Sequence, residues 1–198
     1  MTGHRPMTAA ALIAILTGCI SHGERRHIYA LDAALDPPAH PEAATQGPEL
    51  QLERVLVPDY LDTTDLVLRA GAHELRESPT SRFGERLSLS ITHALRSELS
   101  ARLPDETVAL ARPGDRSARR ILVNVDAFDV WASGRCVLVA NWTILAADRR
   151  AELTHGRGTF VAAAGGGLSG DSATVSLMAQ AVGQLAERIA SAARALPP

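Results

Sequence analysis

The chain has 198 residues, room for one ordinary domain with flanking segments rather than two. Its 46% hydrophobic content excludes wholesale disorder, and a formal net charge of −2 excludes a protein built chiefly to neutralise nucleic-acid phosphates. All 20 basic residues are arginine, which rules out a Schiff-base lysine and a phosphate-loop lysine, and 4% aromatic content leaves few platforms for stacking bases.

The run A-L-I-A-I-L-T-G-C-I, residues 11–20, is the first informative stretch. From Thr8 to Gly18 the chain is uncharged, about half the ~20 residues that a membrane-crossing helix needs. Arg5 and the amino terminus precede it, so charge, short apolar run and small residues follow the order of a secretory signal peptide. Leu16-Thr17-Gly18-Cys19 resembles a bacterial lipobox. Small residues admit the peptidase, and only a thiol accepts the diacylglyceryl thioether. Residues 1–18 are therefore expected to be removed, leaving Cys19 as a lipidated amino terminus anchored in a membrane. Ile20 follows it, and the absence of an aspartate there points to the outer membrane by the enteric sorting pattern.

Residues 19–49 read as the lipidated cysteine and a tether, because Pro37, Pro38, Pro41 and Pro48 favour extended chain. Ile28-Tyr29-Ala30-Leu31 is the exception and has the composition to pair onto the domain. A single α/β domain is expected over 50–198. L-Q-L-E-R-V-L-V from Leu50 reads as a strand that ends at Pro58. Leu66–Arg69 and His73–Glu77 read as two short strands. Leu87, Ile91, Ala94, Leu95 and Leu99 have helical spacing, closed by Pro104. Thr107 to Ala111 is another short strand, followed by a charged loop, R-P-G-D-R-S-A-R-R. Alternation then predicts three strands in an antiparallel meander: Ile121–Ala127, Cys136–Ile144 and Thr154–Val161. Val175, Met178, Val182, Leu185 and Ile189 form the stripe of a long last helix, with Gly170-Asp171-Ser172 as its cap. The expected fold is α/β, a mixed, largely antiparallel sheet of about six strands with two main helices on one or both faces.

The candidate chemistry is sparse. The glycine-rich segment 162–171 enters a helix but lacks the G-K-[ST] of a phosphate loop, and G-L-S-G-D around Ser169 lacks the spacing of a nucleophile elbow. His155 sits between strand residues with no evident orienting acid. Asp126 and Asp129 flank Phe128, and on a regular strand residues three apart face opposite sides. Two cysteines cannot hold a structural zinc without borrowed histidines, and the seven histidines are scattered. No metal and no cofactor is expected. Arg112, Arg116, Arg119 and Arg120 read either as a contact for acidic groups or headgroups or as a solvated loop. V-P-D-Y-L-D, residues 57–62, places Pro58, Tyr60, Leu61 and Asp62 at a strand end, an amphipathic corner suited equally to packing or to partner contact.

In order, the lipobox, Tyr29-x-Leu31, the proline-rich tether, V-P-D-Y-L-D and an apolar strand ending in Arg69 resemble the PqiC-like family, the auxiliary lipoproteins of ABC-type and MCE-type transport systems. Arg82-Phe83-Gly84-Glu85 partly matches a further family segment. So do Val123, Val125, Phe128 and Asp129, then Gly134, Cys136, Leu138, Ala140 and Trp142. Thr63-Thr64 and Phe83 depart from the family pattern. The resemblance implies a non-enzymatic subunit on the periplasmic face of the outer membrane. It would dock an MCE-domain protein and its ABC and permease components, support lipid transport and envelope integrity, and form a homo-oligomeric ring. The other readings are a stand-alone envelope lipoprotein bound to an outer-membrane or cell-wall component, and a lipoprotein hydrolase using Ser169 or His155.

Overall fold

A computed structural model describes residues 26–32, 49–114, 118–148 and 151–197. The expected signal peptide, Cys19 and most of the expected tether lie outside the described residues. The described strands are β1 (His27–Tyr29), β2 (Glu49–Leu52), β3 (Asp65–Arg69), β4 (Leu75–Phe83), β5 (Thr107–Leu110), β6 (Arg119–Trp131), β7 (Arg135–Leu145) and β8 (Glu152–Ala163). The helices are α1 (Leu87–Arg102) and α2 (Asp171–Arg194). The fold is α/β with a mixed sheet, and the sheet has eight strands rather than about six. His27–Tyr29 adds an edge strand, parallel to β4 beside Ser81–Phe83. The short piece expected from its composition to pair onto the domain does so, over 27–29 rather than 28–31, on a partner strand distant in sequence.

β6 organises the sheet. One of its edges carries the meander β6–β7–β8, antiparallel throughout as the alternation predicts. Its other edge is shared end to end by two parallel strands. β2 lies beside Arg119–Ile121 and leads on to β5, while β3 meets Trp131 through Arg69 and leads on to β4 and β1. The 53–64 segment connects them, and Leu56 still bridges to Asn124 as the chain passes.

The ladder register shifts between Val125 and Ala127. Before this bulge Ile121, Val123 and Val125 are buried, and after it Phe128 and Val130 are. The extra residue reverses the alternation, so Asp126 and Asp129 share the face away from the core. The regular strand assumed from sequence put them on opposite faces, and the bulge is why that expectation fails.

Both helices cover the inner face. Leu87, Ile91, Ala94, Leu95 and Leu99 of α1, and Val175, Met178, Val182, Leu185 and Ile189 of α2, join the inward residues of β6 and β7 in one core. Cys136 lies inside it, where burial, reinforced by the charge of Asp129, pushes the thiol pKa up to about 12. The expected cap of α2 takes another form. Gly170 occupies the cap position at φ +109° and no side chain bonds there. The Asp171 carboxylate instead accepts a hydrogen bond from Ser78 Oγ at 2.6 Å, tying the helix start to β4.

Two glycines of β8 are explained by aromatic neighbours. A β-carbon at Gly156 would lie 2.3 Å from the Trp142 ring, and one at Gly158 would lie 2.8 Å from Phe160. The rings occupy the space that side chains would need, and they stand 6.4 Å apart between centroids. Among the described residues, no helix is long and apolar enough to cross a membrane.

Candidate docking surfaces

The 57–62 corner is where the chain turns out of β2 toward β3. Leu61 and Asp62 donate their backbone N–H groups to the Pro58 carbonyl at 2.9 and 3.2 Å, closing a tight turn. The turn splits the motif by burial. Leu61 is in the core, while Tyr60 is half exposed. Leu56, just before the corner, is 64% exposed and puts a second large side chain toward solvent beside Tyr60.

Asp62 has a task that its position in sequence does not disclose. Arg86, at the cap of α1, makes no side-chain cap bond, so the first amides of the helix need other acceptors. Leu87 N–H donates to the Thr63 carbonyl at 3.0 Å, and Ser88 N–H donates to Asp62 Oδ1 at 3.1 Å. Arg54 stands 3.4 Å and Arg86 3.7 Å from Oδ2 of the same carboxylate. Burial alone would raise the Asp62 pKa, but hydrogen bonds from Ser88 and the charges of Arg54 and Arg86 outweigh it and hold it below the usual value. Its stabilisation is therefore present above the unfolded carboxylate range and fades as pH falls through the lowered value. Asp62→Ala is expected to cost about 1 kcal/mol at neutral pH, the usual worth of a helix cap. Urea melts at descending pH should show the gap to wild type closing in acid. A gap that stays constant across the carboxylate range would contradict the assignment.

Among the described residues, no helix covers the outer face of the sheet. Beside the corner that face holds a cleft of about 260 Å³, lined by Glu53, Arg54, Leu56, Leu122, Asn124, Asn141 and Thr143 among others. Asp126 organises the polar part of this face, accepting hydrogen bonds from Asn124, Asn141 and Arg157 at 3.2, 3.2 and 2.9 Å. Asp129 is bound instead by Arg69, whose Nη2 lies 2.7 Å from Oδ1 and whose Nε donates to the same oxygen. The two carboxylates are each committed to an arginine and do not form an acid–base pair. Arg69 and Asp129 end two of the motifs behind the family resemblance, and their pairing fastens β3 to β6.

The arginine cluster read from sequence does not form one patch. Arg119 pairs with Glu106 at 3.0 Å. Arg120 is 2% exposed, on the outer face of β6 opposite Gln51, and pairs with Glu53. Arg112 is exposed and gives its carbonyl to Arg120, while Arg116 lies outside the described residues. β6 begins at Arg119, two residues inside the expected loop, and the strand draws Arg119 and Arg120 away from solvent.

The glycine-rich segment is spent on packing against the β6–β7 turn. Gly134 has φ +82°, and a β-carbon there would meet Gly167 backbone at 3.0 Å. Ala164 N–H donates to the Gly134 carbonyl at 2.8 Å. Ser169 is exposed in this connection, and His155 is exposed on β8 against Glu152 of its own strand. Among the described residues, no group of three or more His, Cys, Asp or Glu could hold a metal ion. The sequence missed the cap made by Asp62, the buried Arg120 and the exposed Leu56. Of these, only the last had a local signal, an apolar residue just short of a proline.

What these features define is a two-layer α/β domain, its two described helices on one sheet face and an amphipathic corner at its margin. The chain belongs to the family described as the ABC-type transport auxiliary lipoprotein component, whose model matches residues 29–190. Two solved structures share the fold. An uncharacterized protein is 20% identical with a TM-score of 0.69, covering 85% of this chain and 98% of its own. Protein XCC0632 from Xanthomonas campestris, of family DUF330, is 14% identical with a TM-score of 0.62, covering 82% of this chain and 92% of its own. No match is found among curated proteins.

Proposed function

We propose that the mature protein is held by Cys19 on the periplasmic face of the outer membrane and docks an MCE-domain protein of an ABC-linked intermembrane lipid transport system. Membership of the auxiliary lipoprotein family carries this reading, and the lipobox at Leu16-Thr17-Gly18-Cys19 supports it. The protein is not an enzyme on this reading. ATP hydrolysis belongs to a separate chain, and this one supplies an anchor and a binding surface, assembling with copies of itself in a ring. Leu56 and Tyr60 are the apolar groups that the 53–62 segment turns toward solvent, so they are the first contacts to test.

Crosslinked pull-down from membranes should recover an MCE-domain protein together with permease or ATPase. Recovery of none of these under gentle extraction would overturn the reading, and recovery of peptidoglycan or an outer-membrane barrel alone would favour a stand-alone envelope lipoprotein. Replacing both Leu56 and Tyr60 by Asp is expected to cut recovery about ten-fold, as for loss of an interface anchor worth at least ~1.4 kcal/mol. The melting temperature should stay within a few degrees, because neither side chain is in the core. Unchanged recovery would move the docking surface elsewhere.

A further inference from the structure

We infer that the end of the domain formed by the β3–β4 and β6–β7 turns rests on the lipid surface, with Trp131 and Leu75 at headgroup level. The inference rests on lipidation at Cys19 and adds an orientation to it.

Only eight residue steps separate Cys19 from His27, where β1 begins. Even fully extended they span about 28 Å. The whole 19–49 segment read from sequence as a tether would reach several times farther, but pairing of His27–Tyr29 with β4 fixes the chain much earlier. The domain is thus held close to its anchor, and one side must face the bilayer. Strand direction selects that side. β1 runs parallel to β4, so the chain approaches His27 from the direction of Leu75, where β4 starts. β3 runs antiparallel to β4 and parallel to β6, bringing Arg69 beside Trp131. The 70–74 turn, the 132–134 turn and the 164–170 connection therefore share this end of the sheet. The far end of β6, at Arg119, lies twelve residues from Trp131, about 40 Å at ~3.3 Å per residue. To place that end on the membrane, the anchor segment would have to double back along the domain at nearly full stretch.

The chemistry of this end suits a headgroup layer. Trp131 is partly exposed, with the Arg135 guanidinium 5.6 Å from its ring centroid. Leu75 is among the exposed large apolar residues, and Gly165 and Gly166 have open space about them. Tryptophan favours the membrane interface, where the ring meets the acyl boundary and its N–H stays hydrated. The charges nearby nearly balance: Arg76 and Arg135 stand against Glu74 and Glu77, with His73 beside them. Contact is therefore made by Trp131 and Leu75 rather than by attraction to anionic lipid, and it should persist in salt.

The two tryptophans provide the test, because Trp142 is buried in the core. Full-length lipidated protein is placed in phosphatidylethanolamine–phosphatidylglycerol vesicles, with or without phosphatidylcholine brominated near the top of its acyl chains. Emission from Trp131, taken as the difference between wild type and Trp131→Phe, should shift to the blue and lose roughly half its intensity to the brominated lipid, as expected for an interfacial ring. The emission left in Trp131→Phe should be unaffected. Protein that floats with the vesicles while Trp131 goes unquenched would overturn the orientation and leave the anchor standing. Protein that does not float would overturn both. A blue shift without bromine quenching, growing as protein density on the vesicle rises, would assign this end to a second copy, again against the proposal.

Discussion

Replacing Cys19 by Ser is expected to abolish acylation, whereas replacing Cys136 by Ser leaves it intact. These are the only cysteines in the chain. Cys136 cannot compete for the lipid, since it is fully buried in the core and its thiol is pushed up to about 12. The effect on membrane attachment should be large. A single myristoyl chain binds a bilayer with only about 10⁴ M⁻¹, so durable attachment takes the two or three chains that a lipobox cysteine carries. Among the described residues no helix is long and apolar enough to cross a membrane, so no helical span stands in for the acyl chains. Metabolic labelling with an alkyne fatty acid should mark wild type and Cys136→Ser and leave Cys19→Ser blank. Mass spectrometry of the unlabelled variant should find residues 1–18 still attached, because the lipoprotein peptidase acts after acylation. Label persisting in Cys19→Ser would remove the anchor, and with it the proposed location.

The elements legible in the sequence were those held by local periodicity. The meander alternates over enough residues to identify itself, and the α1 and α2 stripes repeat at helical spacing. What escaped depends on partners distant in the chain. The Ile28–Leu31 piece showed by composition that it could pair, but not that β4 would supply the edge. The bulge at Val125–Ala127 requires knowing the strand opposite, yet it decides that Asp126 and Asp129 share a face. Asp62 looks like a turn residue until α1, more than twenty residues later, folds back to present Ser88 N–H to it. Within the corner the structure separates packing residues from exposed ones. Leu61 and Asp62 are structural, while Tyr60 is left facing out. Composition misled over the arginines, because a run rich in charge that opens on Pro113-Gly114 resembles a loop until β2 pairs with its far end.

Arg120 carries the second large expectation, a loss of about 3 kcal/mol on replacement by Ala, within the range for breaking a buried ion pair. The guanidinium is among the largest fully buried side chains of the protein. Its Nη1 donates to Glu53 Oε1 at 3.0 Å and its Nη2 to the Arg112 carbonyl at 3.2 Å. It therefore links the segment after β2 to the loop before β6, on the face opposite the two described helices. Alanine would remove both links together with the packing of the side-chain stem. Glu53 is about a third exposed and can recover some hydration, which keeps the cost from the top of the range. Lysine should rescue little, since a single ammonium on a flexible stem cannot reproduce a planar fork directed at two acceptors. Urea denaturation should lower the midpoint of Arg120→Ala by about 1–2 M at an unchanged slope. The same substitution should not affect acylation at Cys19, so stability and anchoring separate experimentally. A midpoint within experimental scatter of wild type would mean that the outer face holds Arg120 by burial alone and gains nothing from its partners.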